Sequence, residues 1–498
     1  MKKKYLILIV SLILFQFLAI SQTKKDINGY NYYTQGNSNR TVAEWEPAKG
    51  TMIAWPLGLP YKLIVELAKD NHLYTLVTDD STRNEAIKWY KKWGIDPTHN
   101  TFITMPLGVA ACWTRDWGPT AIFAPDGNMK LGNYNSLYAP PHSKLGCPDS
   151  VYYTIKEPSE LDDKADIPLG KALNIEVLDL PFICTGGNFL TDGLGIAFST
   201  CILPKENKLQ NIPESQFFKL SKDLQGINNY HIISNFEKEG IQHIDCFMTL
   251  LDEERMLVAE PPADHELYGI YENIVQNELS KLNTIYGRPY EILRLKIDRY
   301  DGDKLTAYLN SLIVNKTIYV PLFQIKADSI ALQTWQKAMP GYTVKGFEFA
   351  LKDEPLLANG MNEQYPSGYG WKGYDALHCR TRAIWDNEML FITTKRIDKI
   401  VDSKNRNIVY TTIIDYSKQG LVKDKNLLFW RTLGETNWRI AELNLTENPN
   451  HFFYEIPYHK SGSTVEYYIS AESKSGRKET QPRAAPLGLS LIHISKKF

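Results

Sequence analysis

Three short stretches, far apart in the chain, carry side chains that could act together on one substrate. They surround Asp116, the pair His243 and Asp245, and Cys379. Carboxylates bind a planar guanidinium through paired hydrogen bonds, so two aspartates could hold such a cation. A cysteine can then attack the central carbon while a histidine transfers protons. The combination predicts nucleophilic catalysis on a guanidinium group.

Asp116 lies in the run Arg-Asp-Trp-Gly-Pro, directly before a Gly-Pro turn that could direct its side chain into a cleft. Taken alone, an aspartate at such a turn more often caps nearby backbone amides. Trp113 and Trp117 could stack on a guanidinium or could belong to a core. The motif gains meaning only together with the other two stretches.

His243 and Asp245 belong to a partly alternating run, Gly240 to Leu251, that predicts a strand. On a strand, residues two apart face the same side, so both side chains could enter one cleft. A solvent-facing pair and a metal site are the alternatives. The chain contains no HExxH or CxxC pattern to complete a metal shell, so we expect neither a metal nor another cofactor.

Cys379 follows a glycine-rich approach that begins at Gly370. A free thiol has an ordinary pKa near 8.5, so only a few per cent is thiolate at neutral pH without help. That help could come from a protonated His243 or from a cationic substrate. The alternative is a buried structural cysteine. The chain has six cysteines in all, and we expect few or no disulfides among them.

The first 21 residues predict a secretory signal. Three lysines precede an apolar run from Tyr5 to Ile20, and small residues follow it. An uncleaved anchor is the alternative, although the run is short for a membrane span. We therefore expect export to the periplasm or the medium. A net charge of −1 gives no reason to expect nucleic acid or an anionic membrane as a partner.

The rest of the chain divides into three parts. Residues 22–42 form a polar leader. Residues 43–388 alternate short apolar strands with helices, which indicates an α/β or α+β domain. Residues 389–498 predict short strands separated by Gly-, Asn- and Ser-rich turns, typical of an immunoglobulin-like β-sandwich, with an irregular end after Pro486. A sheet extension of the first domain is the alternative. No internal repeat is evident.

Additional motifs complete a resemblance to a known family. They are Ala43-Glu-Trp-Glu-Pro47, Trp113-x-Arg-Asp116-x-Gly-Pro119, Gly186-Gly-Asn188 and His378-Cys379. Over roughly residues 43–385 the chain resembles the agmatine-deiminase-like branch of the guanidine-modifying pentein enzymes. With its predicted signal and sandwich, it is similar to the bacterial calcium-independent peptidylarginine deiminases.

The resemblance implies a five-bladed, pseudo-symmetric α/β propeller ahead of the sandwich. It implies that Cys379 is the nucleophile, His243 the acid and base, Asp116 and Asp245 the guanidinium clamp, and Asn310 an active-site asparagine. It also implies substrate contacts from three further motif positions and one tryptophan, namely Arg115, Gly187, Asn188 and Trp113. The implied reaction converts arginine residues of peptides or proteins to citrulline and ammonia through a cysteine thiouronium.

The chain departs from that family in two places. The stretch Asn133 to Pro141 lacks the paired arginines that would hold a C-terminal carboxylate, and Leu351 to Trp371 resembles an insertion. Three other functions stay open at this point. They are hydrolysis of a small guanidine such as agmatine or free arginine, a thiol protease using Cys379, His243 and Asn310, and arginine binding without turnover.

Overall fold

The computed structural model describes residues 38–108, 111–135, 164–237, 241–349, 370–397, 399–400 and 407–494. The predicted signal, most of the leader and most of the apparent insertion lie outside these residues. Within the described part of the chain, no helix is both long and apolar enough to cross a membrane.

Five sheets share one connection pattern in the first domain. In each, two neighbouring strands run antiparallel, and a helical connection leads to a third strand that pairs in parallel with the second. We call these sheets, with their helices, the first to fifth units. The first unit closes the domain, because its outer antiparallel strand, Arg382–Trp385, comes from the end of the domain.

The remaining bounds complete the five units. The first unit contains strands Ala48–Ala54, His72–Val77 and Asn100–Thr104 and helices Tyr61–Asp70 and Asp80–Trp93. The second contains strands Arg40–Thr41, Thr120–Phe123, Met129–Asn135 and Glu176–Ile183 and helix Asp166–Leu173. The third contains strands Leu190–Thr191, Ile196–Thr200 and Asn229–Ile233 and helices Ile202–Leu209 and Glu214–Leu220. The fourth contains strands Met248–Leu250, Arg255–Glu260 and Glu291–Lys296 and helix Tyr268–Asn277, and the fifth contains strands Leu312–Val314, Thr317–Leu322 and Thr343–Glu348 and helix Ala327–Ala338.

Local sequence explains where these elements begin and end. Helix Asp80–Trp93 starts after Asp79, whose side chain accepts a hydrogen bond from the backbone of Thr82 at 2.8 Å. It stops at Gly94, whose φ of 73° suits glycine. Helix Tyr61–Asp70 buries four apolar residues on one face, Leu63, Ile64, Leu67 and Ala68.

The C-terminal part consists of two sheets that share a hydrophobic core. One sheet contains strands Leu390–Thr393, Asn407–Asp415, His451–Ile456 and Asn444–Leu445. The other contains Lys399–Ile400, Ser490–Ile494, Thr464–Glu472, Leu427–Thr432, Arg439–Glu442 and Lys478–Gln481. The expectation of an irregular end after Pro486 was wrong, because Ser490–Ile494 pairs with Thr464–Glu472. An immunoglobulin-like topology remains a prediction.

Arg40, a buried residue of the second unit, forms an ion pair and also contacts the sandwich. Arg40 Nη1 lies 2.7 Å from Glu46 Oε1, and Arg40 Nε donates to the hydroxyl of Tyr416 at 3.0 Å. The guanidinium also covers the ring of Phe391, at 4.2 Å from its centroid. Removing either ionic partner would leave an uncompensated buried charge. The two parts of the chain are therefore joined by a specific contact.

Candidate active site

Each of the five units contains a tight turn just before one strand of its antiparallel pair. We call these five turns the leading turns. In each, a backbone N–H donates to the carbonyl three residues earlier. The pairs are Asp116 to Trp113, Asn188 to Thr185, Cys246 to His243, Asn310 to Ala307 and Arg380 to Leu377. Every residue predicted from sequence to act in catalysis lies in or beside one of these turns. Each of the five units therefore contributes the side chains of one leading turn.

Gly187 marks the point where three of these side chains meet. Its backbone N–H donates to Asp116 Oδ1 at 3.1 Å. A methyl group in place of its hydrogen would lie 2.6 Å from Asp116 Oδ1, 2.8 Å from His243 Nδ1 and 3.2 Å from Asp245 Oδ2. Only glycine leaves this space open. Asp116, His243 and Asp245 thus surround one small volume, as their predicted roles require.

Cys379 reaches the same region from the first unit. Its Sγ lies 3.7 Å from Asp245 Oδ2 and 3.2 Å from Asn310 Nδ2. The Oδ1 atom of Asn310 accepts hydrogen bonds from the backbone N–H groups of Ala376 and Cys379, both at 3.2 Å. These two donors fix the orientation of the amide, so its NH2 group must face the sulfur. Asn310 therefore presents a donor to the thiol.

His243 holds a proton at neutral pH that it can donate to a substrate. Burial lowers its pKa, but Asp116, 3.4 Å away, together with Asp245 and Glu206, outweighs burial and raises the pKa to about 9. Because this pKa is raised above the unfolded value, the contribution to folding is complete below about pH 6.5 and is lost as pH rises through about 9. At neutral pH the ring is an imidazolium.

The Cys379 thiol is protonated before substrate binds. A hydrogen bond from Cys246 lowers its pKa, but burial and the carboxylates of Asp245, Asp375 and Asp116 raise it to about 12. A cation placed between Asp116 and Asp245 would cancel much of the negative field that opposes ionisation. The site is therefore built so that a bound cation promotes its own attack by the thiol.

His378 and Glu44, to which the sequence analysis assigned no role, support the predicted clamp residue Asp245. His378 Nδ1 lies 2.8 Å from Asp245 Oδ2, and its Nε2 lies 3.4 Å from Glu44 Oε1. Arg115 donates to both oxygens of Glu44, at 2.7 and 3.0 Å. Burial would raise the pKa of Glu44, but Arg115 and His378 hold it well below its usual range. This buried chain of charges orients Asp245.

Two residues predicted to contact substrate are held by buried hydrogen bonds. The Arg115 guanidinium donates to Glu44 and to the carbonyl of His378, the latter at 3.3 Å. Asn188 Oδ1 accepts from the backbone of Thr200 at 3.0 Å and of Ile244 at 3.2 Å. Both side chains are buried and support the leading turns, and their contact with a substrate stays a prediction.

Trp113 is half-buried and packs against the core of the first unit, and its contact with substrate stays a prediction.

The predicted strand around His243 and Asp245 is also wrong. Gln242 has a left-handed φ of 58°, and Ile244–Cys246 forms a short 3₁₀ turn before the strand Met248–Leu250. Side chains satisfy the backbone donors that a strand would use, since Glu237 Oε2 accepts from Gln242 at 3.2 Å, and Asn188 accepts from Ile244 as described above. The two residues converge through a turn.

Cys379 is buried and not disulfide-bonded, as are Cys112, Cys184 and Cys246. Cys201 is disulfide-bonded. Of the expectation of few or no disulfides, only the first alternative therefore agrees with the structure. Among the residues that the structure describes, no group of three or more His, Cys, Asp and Glu side chains is placed to hold a metal ion.

Replacing Asp116 by asparagine should lower the pKa of His243 from about 9 toward its ordinary value near 6.5, because the nearest carboxylate loses its charge. The pKa can be followed by NMR on isotope-labelled histidine. Asp79→Asn, at an exposed helix start, serves as the control and should leave His243 unchanged. An unaltered His243 pKa in Asp116→Asn would contradict the coupling.

Comparison with known proteins agrees with this geometry. Residues 40–351, which include Asp116, His243, Asp245 and Asn310, match the family described as Porphyromonas-type peptidyl-arginine deiminase. A relative from Vibrio parahaemolyticus, provisionally named an agmatine deiminase, is 25% identical over 308 residues, or 55% of this chain and 75% of that protein. A second so named, from Shewanella baltica, is 25% identical over 305 residues, covering 55% of this chain and 77% of that one.

Solved structures show the same mixed α/β fold. C. jejuni agmatine deiminase aligns with a TM-score of 0.50 and 18% identity over 72% of this chain and 99% of that chain. Enterococcus faecalis agmatine deiminase aligns with a TM-score of 0.53 and 16% identity over 73% of this chain and 100% of that chain. At such low identity the likeness concerns the fold alone. The family match covers more than half of the chain, and on that ground the protein belongs to the Porphyromonas-type peptidyl-arginine deiminase family of guanidine-modifying enzymes.

Proposed function

We propose that this protein is an exported deiminase that converts arginine residues of peptides or proteins to citrulline and ammonia. The observation that carries the proposal is the meeting of Asp116, His243 and Asp245 around the backbone of Gly187, with Cys379 Sγ 3.7 Å from Asp245 Oδ2. A thiol nucleophile, a protonated imidazole and two carboxylates fit a planar cation that must lose ammonia.

Binding of the guanidinium comes first. Asp116 and Asp245 each accept its N–H groups, and at an effective dielectric near 20 a pair separated by ~4 Å gains about 4 kcal/mol before desolvation. Lysine lacks the forked geometry needed to use both carboxylates. The bound cation also offsets the negative field around Cys379, so the thiol loses its proton more readily, and that proton leaves to bulk water because His243 is already charged.

Attack by the Cys379 thiolate then forms a bond to the central carbon. The His243 imidazolium donates its proton to the departing nitrogen, and the carbon–nitrogen bond breaks to release ammonia. A thiouronium remains on Cys379. The neutral His243 next takes a proton from water, and the resulting hydroxide adds to the same carbon. The carbon–sulfur bond breaks and restores the thiolate, the added hydroxyl group loses its proton to bulk water, and the neutral ureido product leaves.

Peptides are the favoured substrates on three grounds. The family match carries the peptidyl-arginine name, the chain has an added sandwich domain, and its first residues predict an export signal. Agmatine is the second candidate, because the curated relatives carry that name. We infer also that the five units close into a propeller, since the antiparallel strand pair of the first unit joins both ends of the domain.

The position of the arginine within a peptide should matter little. Asn133 begins the stretch where related enzymes carry carboxylate-binding arginines, and its side chain instead donates to Asp179 at 3.1 Å. No cation in that stretch of the sequence would select a C-terminal carboxylate.

A ureido assay across four substrates tests the proposal. We expect the kcat/KM for a peptide with internal arginine to exceed that for agmatine and free arginine by at least about tenfold, or ~1.4 kcal/mol of transition-state binding. A peptide with C-terminal arginine should perform like the internal one. Faster turnover of agmatine would reject the peptide substrate, and the absence of any ureido product would reject the deiminase.

Gly187→Ala should nearly abolish citrulline formation while the protein stays folded. The added methyl would occupy the space between Asp116, His243 and Asp245. The matched control is Gly269→Ala, on helix Tyr268–Asn277, where a methyl group meets nothing within 4 Å. Steady-state kinetics and thermal unfolding of both variants decide the matter. Wild-type kinetics in Gly187→Ala would show that substrate does not enter this space.

A further inference from the structure

The Cys379 thiol faces an unusually unfavourable setting for a nucleophile. It is fully buried, and three carboxylates raise the free energy of its thiolate. The groups that act on it are Asp116 and Asp245, with His243 and His378 beside them, and the ion pair of Asp375 with Arg380. Hydrogen-bond donors to the sulfur are therefore needed to favour the charged form.

Asn310 supplies one donor and links a second sulfur to the first. Its Nδ2 lies 3.2 Å from Cys379 Sγ and 3.6 Å from Cys246 Sγ. The two sulfurs also share Asp245, whose Oδ1 lies 3.6 Å from Cys246 Sγ and whose Oδ2 lies 3.7 Å from Cys379 Sγ. Cys246, Asn310 and Cys379 thus form a small buried cluster that joins the leading turns of the fourth, fifth and first units.

Cys246 can serve as a donor in both states of its neighbour. Its Sγ lies 3.6 Å from Asp245 Oδ1, a partner for the S–H while Cys379 is neutral. Rotation of the S–H would turn it to the Cys379 sulfur once that sulfur is charged, and hydrogen bonds to charged acceptors are the stronger ones. The neighbouring Cys379, burial and nearby acids raise the pKa of Cys246 itself, so it keeps its proton. No function described so far uses this thiol.

We propose that Cys246 is a further catalytic residue, which contacts the reacting sulfur and stabilises the Cys379 thiolate by donating its S–H alongside Asn310. The proposal rests on the role of Cys379 as nucleophile in the proposed function. It predicts that Cys246 acts on ionisation of Cys379 and not on the fold.

The rate at which iodoacetamide alkylates Cys379, measured by peptide mass spectrometry as a function of pH, tests the proposal without any need for turnover. At a pH below the thiolate transition, the rate in Cys246→Ala should fall at least ~10-fold, because each pKa unit changes the thiolate fraction tenfold. Cys246→Ser retains a donor and should stay within about threefold of wild type. The full-length protein is used throughout.

Cys184→Ala is the matched control, since Cys184 is a buried free thiol that also accepts a side-chain hydrogen bond, from Gln225 at 3.6 Å. It should keep the wild-type profile. Equal Cys379 profiles in wild type and Cys246→Ala, including no reaction in either, would overturn the proposal. A loss shared equally by the serine and alanine variants would also overturn it, because it would indicate packing and not donation. The alkylation readout separates either failure from a missing deiminase activity.

Discussion

Excess negative charge buried around a neutral thiol is the constraint on which this active site depends. Burial, together with the carboxylates of Asp245, Asp375 and Asp116, opposes ionisation of Cys379 and raises the pKa of that thiol to about 12. The same carboxylates attract a guanidinium. Binding and activation are therefore coupled, since the cation that the aspartates hold is also the charge that the thiolate requires. A free thiolate would instead expose the enzyme to oxidation in the absence of substrate.

The fold meets this constraint by repetition. Each unit contributes one leading turn, and side chains of these turns lie against one another. A turn next to a strand can direct a side chain inward while the strand anchors its backbone. The supporting contacts are equally buried: Arg115 and Glu44 hold His378, and His378 holds Asp245. Buried charges that would be costly alone therefore have partners within this series of side-chain contacts.

Much of this arrangement could be predicted from sequence, for physical reasons that also explain the exceptions. Helices such as Tyr61–Asp70 and strands such as Leu427–Thr432 carry strong local patterns, which is why strands and helices were predicted in the first domain and short strands in the C-terminal part. The conformation at His243 was predicted wrongly, because distant Asn188 and Glu237 satisfy the local backbone donors. Periodicity of side chains contains no information about such partners.

Two further features are not evident from the residue pattern. The repeat was expected only from the family resemblance, and one strand of the first unit, Arg382–Trp385, comes from the far end of the domain. The pairing of Glu44 with His378 was equally hidden, since it depends on contacts between opposite ends of that domain. Guanidinium chemistry could still be predicted, because residue types alone restrict what two carboxylates, an imidazole and a thiol can do together.

Mass spectrometry of the enzyme, mixed with an internal-arginine peptide and quenched in acid within a single turnover, tests the central claim most directly. A thiouronium at Cys379 would add the mass of the substrate less one ammonia to the proteolytic fragment that contains this residue. We predict that adduct on Cys379, and its absence from Cys379→Ala. Citrulline formation with no adduct on Cys379, or with the adduct on another residue, would contradict the account.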